Sequence, residues 1–169
     1  MLEMYTRRLP LPERSFLLLG PRGTGKTTWL RARLPRARWY NLLLDRELLR
    51  LMREPGSFRR EVEALPRGSW IVVDEVQKLP SLLNEIHDAL ASAPRRWRFA
   101  LTGSSARRLR REDVNLLAGR VVTRRMLPLT VAELGGEPEP DDLLRFGGLP
   151  LVRGERAAAA RIDLLEAYV

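Results

Sequence analysis

The sequence predicts an α/β fold in which a parallel central sheet is covered by helices on both faces. Three observations lead there. Phe16–Leu19 and Trp70–Val73 are short, wholly apolar runs without polar alternation, as strands buried on both faces are. Helical stretches separate successive strand candidates and supply the crossovers that parallel pairing needs. The chemically suggestive residues follow directly after the apolar runs, and sheets of this kind bind ligands at the carboxyl ends of their strands.

The elements follow in chain order. Phe16–Leu19 is a strand ending at Gly20, and Gly20–Gly25 is a glycine-rich turn. Lys26–Leu34 reads as a helix stopped by Pro35. Arg38–Leu44 has the aromatic and aliphatic content of a strand, and Arg46–Arg53 and Ser57–Leu65 are helices parted by Pro55 and Gly56. Trp70–Val73 is a strand followed at once by Asp74 and Glu75. Ser81–Ala91 is an amphipathic helix with Leu82, Leu83, Ile86 and Leu90 on one side and Ser81 as its N-cap. Arg98–Leu101 is a strand ending in Thr102-Gly103-Ser104-Ser105, and Val121–Leu127 is a further strand. Thr130–Leu134 is a short helix and Gly135–Pro140 a polar loop. Asp141–Phe146 and Glu155–Val169 are helices on either side of a turn at Gly147-Gly148-Leu149-Pro150.

A length of 169 residues suits one core, and 44% hydrophobic with 30% charged residues describes a globular chain rather than a disordered one. No apolar run approaches the roughly 18–20 residues of a membrane span. Met1–Arg14 lacks the apolar stretch of a secretory leader. The absence of cysteine excludes disulfides and thiolate metal sites. A cytoplasmic location is the expectation. The net charge of +9 would attract polyanions. Only Lys26 and Lys78 are lysines, however, so the arginine excess also fits a GC-rich coding bias, and nucleic acid stays an open partner.

Gly20-Pro21-Arg22-Gly23-Thr24-Gly25-Lys26-Thr27 fits G-x-x-x-x-G-K-[ST] at every fixed position, after a strand and before a helix. Backbone N–H groups of such a loop wrap a polyphosphate, and the following helix turns its positive end toward the anion. Lys26 is expected to reach the β and γ phosphates, and Thr27 to place its hydroxyl on Mg²⁺, with Thr28 beside it.

Ile71–Glu75 resembles a Walker B segment with an added glutamate. Asp74 is expected to hold hydrated magnesium, and Glu75 to polarise the attacking water. Thr102 and Ser104, at the end of the next strand, are candidates to sense the γ phosphate. Arg120 is the candidate arginine finger, with Arg107 and Arg108 weaker ones. His87, alone of its type, and Trp29, Trp39, Trp70 and Trp97 read as structural.

Taken together, Gly20–Leu30, Trp70–Pro80, Phe99–Ser105, Leu117–Arg120 and Phe146–Pro150 resemble the prokaryotic AAA-type ATPases of the AAA_14 group, which carry a C-terminal DUF4143 domain and are similar to archaeal-type ATPases. The resemblance implies a three-layer P-loop NTPase fold of the additional-strand, AAA-like type, with Glu75 as catalytic base, Thr102 or Ser104 as sensor and a finger arginine near Arg120. It also places Asn41 at a recurring position after the second strand. Residues 1–134 are then the ATPase core, and 135–169 a loop and the start of a helical C-terminal segment that relatives continue.

Three functions follow as expectations. The leading one is hydrolysis of ATP with Mg²⁺ to drive a conformational change. The alternative is a nucleotide-dependent binding switch with little turnover. A third engages nucleic acid through Arg107, Arg108, Arg110 and Arg111. A finger acting in trans would require self-association. No Asn-Lys-x-Asp segment reads guanine, and the Asp74–Glu75 pair favours water over a kinase's hydroxyl acceptor.

Overall fold

The computed structural model describes residues 5–104, 116–136 and 138–168. Five strands form one parallel sheet: β1 (Phe16–Leu19), β2 (Arg38–Asn41), β3 (Trp70–Asp74), β4 (Arg98–Gly103) and β5 (Val122–Arg125), in the spatial order β2-β3-β4-β1-β5. Helices α1 (Lys26–Arg33), α2 (Asp45–Arg53), α3 (Pro55–Glu63) and α4 (Leu82–Ser92) lie between strands in sequence. After β5 come α5 (Val131–Leu134), α6 (Pro140–Phe146), α7 (Pro150–Arg153) and α8 (Ala158–Glu166). This is the expected three-layer parallel architecture.

Strand periodicity sorts the apolar side chains into two cores. Phe16, Leu18, Val72 and Ala100 face Trp29, Leu30 and Leu34 around α1. Leu17, Leu19, Ile71, Val73, Phe99 and Leu101 face the other way, against Phe58 and Val62 of α3 and Leu82, Leu83 and Ile86 of α4. Each fully buried side chain of this size contributes about 1.5–3 kcal/mol. Tyr40 packs edge-on to Phe58 at 4.8 Å and gives its hydroxyl to Glu61 at 3.0 Å. Burial pushes the Tyr40 phenol up to about 12.

Several boundaries differ from the sequence expectation. β2 stops at Asn41 rather than Leu44, because the Asn41 side chain accepts the N–H of Leu43 at 3.0 Å and turns the chain. β5 is shorter at both ends. Ser81 makes no side-chain cap; a 3₁₀-type ladder instead ties Leu82 N to Leu79 O, Leu83 N to Pro80 O and Asn84 N to Ser81 O. Pro150 opens α7 where a turn was expected, since proline suits a helix's first position. The last helix begins at Ala158 rather than Glu155. Trp29 and Trp97 are buried as expected, while Trp39 and Trp70 lie half-buried under the guanidinium groups of Arg31 and Arg98. His87 sits 3.3 Å from Asp88.

Candidate functional site

The strand order brings the motif residues together. β4 lies between β1 and β3, so its end falls between the phosphate loop and Asp74. Val72 and Ala100 face α1, and two residues further along the same strands Asp74 and Thr102 share that side. There Thr27, one residue into α1, donates its hydroxyl to Oδ2 of Asp74 at 2.8 Å. Thr102 donates to Oδ1 of the same carboxylate at 2.5 Å and accepts the backbone N–H of Glu75 at 2.9 Å. Both Asp74 and Thr102 are buried.

The loop itself is built for an anion. A Cβ on Gly20 would lie 2.0 Å from the carbonyl oxygen of Met126, so only glycine lets the chain leave β1 beside β5. Gly25 holds φ 85° at the N-cap of α1, and no side chain caps that helix. Its first intrahelical bond is Trp29 N to Gly25 O at 2.9 Å. The amides ahead of it are therefore available at the positive end of the helix. Thr24 closes the loop through Pro21 O at 2.9 Å. The Lys26 ammonium is buried and donates to Gly20 O at 2.7 Å and Pro21 O at 2.9 Å. Burial lowers its pKa from the usual lysine range, and the Glu75 and Asp74 carboxylates oppose that shift.

A cavity of about 870 Å³ opens from the loop. Arg22, Gly23, Thr24, Gly25, Lys26, Thr27 and Thr28 line it, together with Glu75 and Ser104; Thr102 lies beneath it, in the hydrogen-bonded layer. Gly20 and Pro21 stand behind, supplying the carbonyls that hold Lys26. Arg120 is exposed and lies two residues before β5, whose first residue pairs with the first residue of β1. It therefore sits at the sheet edge opposite the phosphate loop of its own chain. Arg107, Arg108, Arg110 and Arg111 lie outside the described residues.

The far wall is not announced by any motif. Tyr5, Thr6 and Arg7 line the cavity from before β1, Leu43 from the turn after β2, and Pro150 and Leu151 from α7. The Arg7 guanidinium donates to Leu127 O and stands 3.5 Å from Glu133, while its Nε has no hydrogen-bond partner among the described residues. Burial lowers the Arg7 pKa from the ordinary value, and Glu133 opposes the shift. The Tyr168 hydroxyl, beyond α8, donates to Arg22 O at 2.5 Å. Seats so distant in sequence carry no local signal; only the proline opening α7 hints at one of them.

Among the described residues no group of three His, Cys, Asp or Glu side chains could hold a metal, and no helix is long and apolar enough to cross a membrane. The donor pair Thr27 and Asp74 still fits magnesium, which takes few protein oxygens and completes its shell with phosphate and water.

One solved structure shares the fold at a TM-score above 0.5, and two more align less closely. A RuvB variant of Thermotoga maritima aligns with a TM-score of 0.54 at 20% identity, over 72% of this chain and 40% of that one. Cdc6p of Pyrobaculum aerophilum aligns at 0.48 and 19% identity, over 71% and 40% of the two chains. The Aeropyrum pernix ORC2 protein (ADP form) aligns at 0.46 and 15%, over 72% and 44%. The chain thus spans less than half the length of each of these structures. No curated protein matches the sequence. The family model AAA_14, described as an AAA domain, matches residues 12–135, a stretch that holds the phosphate loop, the β3 carboxylates and the end of β4. By that match this chain belongs to the AAA_14 family of AAA domains.

Proposed function

We propose that the chain binds ATP with magnesium in the 870 Å³ cavity and hydrolyses it, using the cycle to drive a conformational change. One observation carries this reading. The Thr27 hydroxyl and the Asp74 carboxylate meet at 2.8 Å beside a buried lysine, with Glu75 lining the same cavity.

In this reading the loop amides and Lys26 hold the β and γ phosphates. Thr27 and Asp74 are the residues that would hold magnesium, which when bound supplies charge neutralisation at the phosphate oxygens. A water attacks the γ phosphorus, the bridging P–O bond breaks, ADP and phosphate leave, and Glu75 receives the water's proton. Ser104 faces the γ-phosphate end as sensor, and Thr102 supports it from below by fixing Asp74 and the Glu75 backbone. Tyr5, Thr6 and Leu151 offer surface for the base and ribose at the other end of the cavity.

Arg120 fits this scheme only as a finger delivered by a second copy, because its own chain places it at the opposite sheet edge. Self-association in the presence of ATP follows, and mass measurement with and without nucleotide tests it; an unchanged monomer removes the trans finger.

The experiment for the function as a whole is ATP binding by the wild type and by Lys26→Ala. Affinity is expected to fall at least tenfold, about 1.4 kcal/mol, on loss of the ammonium. Equal affinity would place the nucleotide elsewhere. Binding without measurable phosphate release would favour the switch reading over hydrolysis.

A further inference from the structure

The 3₁₀ turn Val76–Lys78, directly after Glu75, brings one more side chain to the site. Gln77 is half-buried and lines the cavity. Its amide nitrogen donates to Oε2 of Glu75 and, at 3.0 Å, to Oγ of Ser104. Its amide oxygen is buried and has no hydrogen-bond partner among the described residues. The orientation of the amide is fixed by chemistry, since a carboxylate accepts only and would repel the oxygen.

Glu75 needs such a partner. Its backbone is left-handed, with φ 60° and ψ 51°, a conformation that costs a non-glycine residue on the order of 1–3 kcal/mol. Thr102 fixes its N–H, which anchors the main chain but leaves the side-chain torsions free. A general base is useful only when its oxygen is held within a fraction of an ångström of the proton it takes. Among the described residues Gln77 is the side chain that donates to this carboxylate, and hydrogen bonds to ionised acceptors are stronger than neutral ones. A glutamine suits the task because one planar amide carries two N–H donors, enough to join a carboxylate on β3's exit to a hydroxyl on β4's exit.

We propose that Gln77 is a positioning residue that orients the Glu75 carboxylate by bridging it to Ser104, so that the aim of the base depends on where the end of β4 sits. The proposal rests on the reading of Glu75 as the water-activating group. Gln77 acts through Glu75 and through no contact of its own with the reacting atoms.

The test compares Gln77→Met, close in volume but without the amide, and Glu75→Gln with the full-length wild type. Three quantities are measured: MgATP affinity, kcat and the thermal unfolding midpoint. For Gln77→Met, kcat is expected to fall about 10- to 100-fold, the cost of a base misplaced by roughly an ångström, with affinity within about twofold and the midpoint unchanged. Wild-type kcat in Gln77→Met, alongside an inactive Glu75→Gln, overturns the positioning role and leaves the base reading standing. A kcat loss accompanied by an equal loss of affinity or by a lowered midpoint also overturns it, since the side chain would then be part of the binding surface or the fold. Full turnover by Glu75→Gln removes the base reading and the proposal together.

Discussion

The hydroxyl of Thr102 hydrogen-bonds Oδ1 of Asp74 at 2.5 Å, in a layer sealed from solvent beneath the phosphate loop. The other oxygen of that carboxylate is held by Thr27. The three residues come from β4, β3 and α1, so their bonds tie the sheet to the helix that follows the loop.

Thr102→Val keeps the shape and removes both bonds, leaving a buried carboxylate oxygen and the Glu75 N–H short of a partner. The expected loss is about 1–3 kcal/mol in urea unfolding. Ser104→Ala, at the cavity surface, is expected to stay within about 0.5 kcal/mol of wild type. Equal effects of the two substitutions would contradict the layered arrangement.

Gly20→Ala tests the packing behind the loop. The added Cβ would meet Met126 O at 2.0 Å, and backbone cannot yield as a side-chain tip does. Destabilisation of about 1–3 kcal/mol or more is expected, with the β1–β5 pairing the first to open in hydrogen exchange. Slow exchange at Met126 N, which bonds Leu19 O at 2.8 Å, would count against this.

What the sequence alone shows of the fold and the site depends on how local each constraint is. The phosphate loop could be read because every fixed position answers a separate physical demand within eight residues. β3 could be read because a strand covered on both faces shows as Trp70–Val73 with acids at its exit. The end of β2 could not, because one Asn41 side chain, rather than any loss of strand propensity, turns the chain there. The far wall of the cavity could not either: Tyr5 and Leu151 line it together only through the tertiary fold. Gln77 lay in plain view in the segment after Glu75, but its partner Ser104 comes from another strand. Arg120 reads as a finger from its sequence neighbours, whereas strand register sets it away from its own chain's site.

Alkaline stability offers a check remote from the site. Burial raises the Tyr40 phenol from 10.0 to about 12, so the folded protein retains this proton where the unfolded chain has lost it. The native state therefore binds more protons between those values, and stability falls as pH rises through that window. Below pH 10 the contribution is fully present. Urea midpoints between about pH 9 and 11.5 should drop more steeply for wild type than for Tyr40→Phe; parallel curves would show that the phenol is not buried against Glu61.

The most direct measurement of the central claim is phosphate release from MgATP by the wild type and by Glu75→Gln, with nucleotide affinity determined for both. Affinity is expected to be retained and turnover to fall by roughly 10²–10⁴-fold, the usual worth of a general base. Phosphate release at the same rate from both proteins would contradict it.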